Sequence, residues 1–275
     1  MRGAPEAPVE EPSTSSTTDG ERRDGAEIAL AGVEHRFGPT EVISRLDLRI
    51  GSGEVTGIVG PSGSGKSTLL ELVAGLLEPT AGSISVDGRR LPEQRLAGCA
   101  YMPQRDLLLP WLAAIDNASL APRNRGASRE QARARALPLF ERFGLAGFER
   151  SRPTELSGGM RQRVAFLRTL LADKPAMLLD EPFASLDAIT RGEMQEWLAG
   201  ALRGAGATVL LVSHDVEEAL YLCDRVVVLS ARPATAIAEL RAPVPRAAPR
   251  YEVIADPRFV AARERAMQAL REGSR

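Results

Sequence analysis

The chain has 275 residues, with 35 Lys and Arg against 36 Asp and Glu, for a formal net charge of −1. Hydrophobic residues make up 44 % and charged residues 26 %, the balance of a globular protein long enough for a sizeable core. Near-neutrality offers no bulk field to attract nucleic acid or an anionic membrane. Apolar runs such as Leu107–Leu109 and Val226–Leu229 fall far short of the roughly 18 residues of a spanning helix. A membrane role would therefore need a partner.

Residues 1–25 hold Pro5, Pro8 and Pro12, a Ser/Thr cluster from Ser13 to Thr18, several acids and no apolar run. They read as a disordered tail and not as a signal peptide. From Ile28 the texture changes. Val42–Ile50 alternates like a strand, and Glu54–Val59 is a short strand ending in a Gly-rich turn. Thr68–Gly75 has helical spacing; Ser83–Val86 alternates again before an Asp87-Gly88 turn. Residues 105–160 read as a helical insert, with a capping box from Ser128 to Gln131 and Pro138 expected to break or kink the helix it opens. Arg123, Arg125, Arg129, Arg133 and Arg135 read as a solvated helix face; a nucleic-acid patch would want interleaved aromatics, which they lack.

Beyond the insert, Met177–Leu179, Val209–Val212 and Val226–Leu229 read as buried strands, Glu193–Leu202 as a helix, and Asp215 with Glu218 as a second capping box. A short charged helix, Phe259–Leu270, follows Pro257. Strands alternating with helices predict an α/β fold on a mostly parallel sheet. Cys99 and Cys223 show no metal spacing and read as small buried apolar residues of a reducing compartment.

The strongest local signal is Gly60-Pro61-Ser62-Gly63-Ser64-Gly65-Lys66-Ser67, followed by Thr68. It fits G-x-x-x-x-G-K-[ST] between a predicted strand and a predicted helix. Such a loop turns backbone N–H groups onto phosphate oxygens at a helix N-terminus, with Lys66 as a point charge and the Ser67 hydroxyl as a Mg²⁺ ligand. The chain has only two lysines, Lys66 and Lys174, so a lysine at this place carries more weight. An apolar strand, Ala176–Leu179, ends in Asp180-Glu181, where a carboxylate beside the loop can hold Mg²⁺ and a second can polarise water. Ser157-Gly158-Gly159 before a long helix makes another anion-binding helix start, although an ordinary N-cap has the same pattern.

The set Gly60–Ser67, Gln104, Leu156–Gln162, Asp180-Glu181, Ser185-Leu186-Asp187 and His214, in that order, resembles the ATP-binding subunit of an ABC transporter over about residues 26–235. The resemblance implies a P-loop NTPase fold: a RecA-like mixed-sheet core, an antiparallel β subdomain and an α-helical insert. It implies ATP and Mg²⁺ as cofactors. Position by position, it implies that Phe37 stacks on adenine (an ordinary core aromatic being the alternative) and that Gln104 senses Mg²⁺ and the γ-phosphate. Asp180 would hold the metal, Glu181 would be the catalytic base, and His214 would hold the attacking water. Ser157 and Gly159 would close on the ATP of a partner copy, and Asp187 would join the two sites of a homodimer. His35, the other histidine, reads as a surface residue without a role. Met160 departs from the glutamine common after the two glycines. Residues 236–275 read as a C-terminal extension; with 61 residues after His214, the added regulatory domain of some sugar importers is expected to be absent.

Within that family, Met102–Leu112 with Asp116-Asn117 resembles the nitrate/sulfonate/taurine importer ATPases and related importers of thiamin pyrimidine precursors. Leu107–Trp111 is an apolar stretch that could form a socket for a partner helix or pack within the insert. The resemblance thus implies a peripheral ATPase at the cytoplasmic face of the membrane, with a permease partner, indirectly a solute-binding protein, and no nucleic acid. A non-transport ABC ATPase of DNA repair or translation, and a nucleotide-dependent scaffold without turnover, are the alternatives. The former types carry long coiled coils or two cassettes, and the intact Asp180-Glu181 and His214 speak against the latter.

Overall fold

A computed structural model describes residues 25–184, 186–243 and 249–274. The tail expected at 1–25 lies, apart from Gly25, outside them, and so does Ser185. In chain order, β1 (Ile28–Phe37) and β2 (Thr40–Ile50) pair as an antiparallel hairpin. β3 (Val55–Val59) runs into the phosphate loop and α1 (Lys66–Ala74). β4 (Ala81–Val86) returns to pair with β1, giving a three-stranded antiparallel sheet in the order β2-β1-β4.

Next come α2 (Pro92–Gly98) and β5 (Cys99–Met102). The insert holds α3 (Ala114–Ala118), α4 (Leu120–Asn124), α5 (Arg129–Arg142), a 3-10 turn at Pro153–Glu155 and α6 (Gly158–Leu170). β6 (Ala176–Asp180), α7 (Ala188–Ala205), β7 (Thr208–Ser213), α8 (Val216–Leu222) and β8 (Arg225–Leu229) then alternate. β9 (Ala236–Arg241), α9 (Arg250–Ala255) and α10 (Pro257–Gly273) follow.

The second sheet has the order β5-β6-β7-β3-β8-β9; only β9 runs antiparallel. Every residue of β3, β6 and β7 is buried, as expected for parallel strands covered on both faces. Period-2 alternation divides them between two cores. Val55, Met177, Val209 and Val226 face the core shared with α6, α7, α8 and α10. Ile58, Leu178, Leu210 and Val227 face the one shared with α1 and the antiparallel sheet. Gly75 stops α1 at φ 81°, a left-handed turn; a Cβ there would lie 2.3 Å from the Pro92 carbonyl oxygen, so only glycine fits.

Five sequence expectations need correction. Helix α5 runs unbroken through Pro138. The proline forfeits one backbone bond, and the complete Ser128–Gln131 capping box with buried Ala132, Ala136 and Phe140 outweighs that loss. Arg129 and Arg133 are not merely solvated: both fork onto the buried carboxylate of Asp116, at 2.6–3.2 Å, while Arg125 donates to the carbonyls of Leu171 and Ala172. His35 is buried; it lies on the inward side of β1 with Val33, and its Nδ1 is 3.0 Å from the Glu78 carbonyl. Asp215 caps α8 through the N–H groups of Glu217 and Glu218, but the Glu218 side chain turns inward to Gln195 instead of closing the box. The C-terminal helix is also longer than expected, at 17 residues.

Candidate active site

The parallel strands bring the chemistry together. In the order β5-β6-β7-β3, neighbouring strands end level with one another: Met102 pairs with Leu179, Asp180 with Val212, and Val59 with Ser213. Directly beyond these ends come Gln104, Glu181, His214 and the phosphate loop. A crevice at the carboxyl ends of parallel strands is where such sheets bind ligands.

The loop is shaped by its glycines. Gly65 has φ 106°, and a Cβ there would lie 2.7 Å from Cγ1 of Val42, so the β1–β2 hairpin presses directly on the loop. Lys66 is buried, and its Nζ donates to the carbonyls of Gly60 (2.9 Å) and Pro61 (2.8 Å). Burial lowers its pKa, with the carboxylates of Glu181 and Asp180 acting the other way. Ser64 is buried and Thr68 half-buried, while Ser62 and Ser67 face solvent. Ser62, Gly63, Gly65, Lys66, Ser67 and Thr68 line an open cleft together with Gln104, Glu181 and Arg232.

The two acids diverge. Asp180, the last residue of β6, is buried beside the Ser67 hydroxyl; its Oδ1 has no protein partner. Burial pushes its carboxyl up to about 6, Glu181 and Glu71 add to the rise, and Ser67 and Lys66 oppose it. Glu181 then adopts φ 48°, a left-handed conformation costing on the order of 1 kcal/mol for a non-glycine residue. Its N–H is held by the Val212 carbonyl at 2.9 Å. The Glu181 side chain meets Gln104 Nε2 at 3.1 Å and His214 Nδ1 at 3.3 Å.

Other predicted positions stand apart. Ser157 caps α6 by accepting from Met160 N–H at 3.2 Å, and Ser157 and Gly158 are exposed. Asp187 caps α7 through the N–H groups of Ile189 and Thr190. None of Ser157, Gly158, Gly159 or Asp187 lines the phosphate cleft of its own chain. Phe37, half exposed at the end of β1, sits edge-on to His35 at 4.6 Å.

Sequence reasoning missed Arg232. Its Nε and Nη2 donate to the Gly63 carbonyl at 3.1 and 2.6 Å, from the β8–β9 loop. No motif marks it; only the fold brings residue 232 to residue 63. It also missed that Asp106, beside Gln104, pairs with Arg161 of α6 at 2.9 Å, which ties the glutamine segment to the helix opened by Ser157.

A buried phosphate-loop lysine, a strand-end aspartate and a glutamate held between Gln104 and His214 define a phosphate-loop ATPase. The ABC transporter profile matches residues 43–184, and the chain belongs to the ABC transporter family. It is 46 % identical over 224 residues to an aliphatic sulfonates import ATP-binding protein of Rhodococcus jostii, covering 82 % of this chain and 86 % of that one. It is 43 % identical over 202 residues to a formylaminopyrimidine import ATP-binding protein of Halalkalibacterium halodurans (74 % and 78 % covered). With a taurine import ATP-binding protein of Burkholderia pseudomallei it shares 40 % over 228 residues (82 % and 87 %). The dimeric cassette MJ0796, solved with ADP and Pi after hydrolysis, superposes with a TM-score of 0.71 at 30 % identity, over 78 % of this chain and 98 % of that one.

Proposed function

We propose that this chain is the ATP-hydrolysing subunit of a membrane importer for a small solute, and that it works as a head-to-tail pair beneath a separate permease. The observation that carries the reading is Glu181, held between Gln104 and His214 at the mouth of the phosphate-loop cleft. In this reading the backbone N–H groups of 62–68 and the Lys66 ammonium bind the ATP phosphates. Glu181 accepts the proton of the attacking water, and His214 and Gln104 orient it in line with the γ-phosphate. Phe37 offers its exposed ring to adenine.

Ser67, Asp180 and Gln104 would hold Mg²⁺. The unpartnered Oδ1 of buried Asp180 fits a cation that takes one carboxylate, a hydroxyl and phosphate oxygens. When bound, Mg²⁺ neutralises charge on the β- and γ-phosphates.

Ser157, Gly158 and Gly159 are exposed or half-exposed, and with Asp187 they stay outside their own cleft. They would complete the cleft of a second copy, so that closure needs ATP and hydrolysis reopens the pair. Residues 26–235 form the ATP-binding domain, and the extension from 236 adds β9 to its sheet edge. No helix among the described residues is long and apolar enough to cross a membrane. The permease, meeting the Gln104–Asn117 segment, would hold the subunit at the cytoplasmic face. The relatives named for sulfonates, taurine and a formylaminopyrimidine point to a solute of that kind, delivered by a binding protein.

Reconstitution with the permease and binding protein in liposomes tests the reading. ATP-driven uptake of taurine or an alkanesulfonate, lost with Glu181→Gln, is expected. Steady-state phosphate release without uptake of any of the three solutes would overturn the importer assignment.

A further inference from the structure

The C-terminal arm, α9 and α10, contributes nothing to the cleft lining, yet its side chains connect through Gln195 and Glu218 to the turn that carries His214. Arg250, the first residue of α9, donates from Nε to Gln195 Oε1 at 3.0 Å and from Nη2 to Glu217 Oε1 at 2.7 Å. Arg263 of α10 takes the other oxygen of Glu217 at 3.1 Å. Gln195, buried in α7, passes the contact on: its Nε2 donates to Glu218 Oε2 at 3.0 Å. Glu218 is buried as well, and the Ser213 hydroxyl, which lines the same small cavity, stabilises its carboxylate. Ser213 Oγ receives the Asp215 N–H at 2.9 Å, so the residue between them, His214, is held by a pinned turn. Glu218, Ser213, His214 and Glu181 line one small cavity.

The relay has a direction. An amide offers one acceptor and one donor group, and Arg250 can only donate. Arg250 therefore fixes the Gln195 oxygen outward and its NH₂ toward Glu218. The reverse orientation would set NH₂ against guanidinium and oxygen against carboxylate. The arm is anchored at its far end too: the Gly273 carbonyl accepts from Ala231 N–H at 2.8 Å, beside the Arg232 that grips the phosphate loop. Buried Phe259, Ala262 and Ala266 seat α10 on the core between these anchors.

We infer that Arg250, Gln195 and Glu218 are positioning residues for His214, through which the C-terminal arm sets the rate of ATP hydrolysis without touching the nucleotide. The inference rests on the reading of His214 and Glu181 as the hydrolytic pair. A chain of pinned side chains matters here because hydrolysis tolerates little error in the placement of water, and a misplacement of 1 Å can cost about a hundredfold.

The full-length chain is assayed for ATP hydrolysis, ATP affinity and thermal melting. Arg250→Ala is expected to lower kcat about tenfold while KM for ATP stays within about twofold. Arg250→Lys, which keeps the charge but loses the fork, recovers only part of that. Gln195→Glu alone sets two carboxylates face to face and lowers kcat. Adding Glu218→Gln restores it, because the amide introduced at position 218 donates to the carboxylate introduced at position 195, which still accepts from Arg250. In a His214→Ala background, Arg250→Ala adds nothing further, since both act through one group. If His214→Ala lowers kcat but Arg250→Ala leaves it unchanged, or the two losses multiply, the relay is overturned. It is overturned equally if the swap variant stays as slow as Gln195→Glu while melting normally. If His214→Ala itself leaves hydrolysis intact, the assignment of the hydrolytic pair falls, and the relay with it.

Discussion

Oε2 of Glu181 stands 3.3 Å from Nδ1 of His214, although the two residues follow different strands and lie 33 positions apart in the chain. Together with Gln104, this gives Glu181 two neighbours able to hold a water between the carboxylate and a phosphate. Replacing it by glutamine keeps the size and the hydrogen bonds but removes the base. Glu181→Gln is expected to bind ATP as well as the parent and to hydrolyse it at least about a hundredfold more slowly. Size-exclusion chromatography with ATP should then show accumulated dimers. Normal phosphate release by this variant would reject the assignment of the base.

Lys66 and Arg232 are the cations of the phosphate cleft, and they differ in kind. Lys66 is buried and points its ammonium along the loop, whereas Arg232 reaches in from the β8–β9 turn and is exposed. A charge-assisted hydrogen bond contributes about 1.5–3 kcal/mol. Lys66→Ala should therefore weaken ATP binding by about tenfold to a hundredfold. Arg232→Ala should weaken it by only a few-fold, and by less at high salt. Titration calorimetry at two salt concentrations separates the two; equal losses would mean that Arg232 carries as much of the phosphate charge as Lys66.

The legible part of this molecule is its local part. The phosphate loop, the strand-end Asp180-Glu181 and the Ser128 capping box are short-range patterns with one physical solution each, and the structure contains all three. The elements that escaped are those with weak local signals. α2 opens on Leu91 without a side-chain cap, β5 is four residues long, and β9 is a largely exposed edge strand. Arg232 and the Gln195–Glu218 pair escaped for another reason: partners 169 and 23 residues away are set by sheet order, not by spacing. The arginines of α5 show the same limit. Their charge reads as solvation until Asp116, 13 and 17 residues earlier, is placed beneath them.

That Asp116 site makes a stability prediction. The carboxylate is buried, and the forks of Arg133 and Arg129 hold its pKa well below the usual range. Breaking a buried pair costs about 3–5 kcal/mol; the half-exposed arginines here put Asp116→Asn at the lower end. The sign with pH follows from the depressed value. The contribution is full above the unfolded carboxyl's pKa near 4 and is lost as pH falls through the folded value. Urea denaturation should show a large gap between parent and Asp116→Asn at pH 7 and a smaller one at pH 3. A gap independent of pH would mean that packing, not charge, holds the insert together.

The exposed segment after Gln104 makes the last prediction. Leu107 and Trp111 face solvent at 59 % and 68 % exposure, while Leu108 between them is buried. Asn117 holds the segment open, accepting from Leu109 N–H at 2.7 Å and donating to the carbonyls of Leu109, Leu112 and Ala113. A tryptophan displayed on a hydrogen-bonded loop suits a docking anchor, a role in which single aromatic side chains contribute about 2 kcal/mol or more. Trp111→Ala removes no core contact, so the isolated protein should melt within about 0.5 kcal/mol of the parent and keep its basal ATPase activity. Binding to permease in detergent should fall about thirtyfold or more, and uptake should fall with it. Asn117→Ala provides the contrast: it frees the carbonyls of a half-buried turn, so it should lower stability and docking together. Equal permease binding by parent and Trp111→Ala would move the docking surface elsewhere.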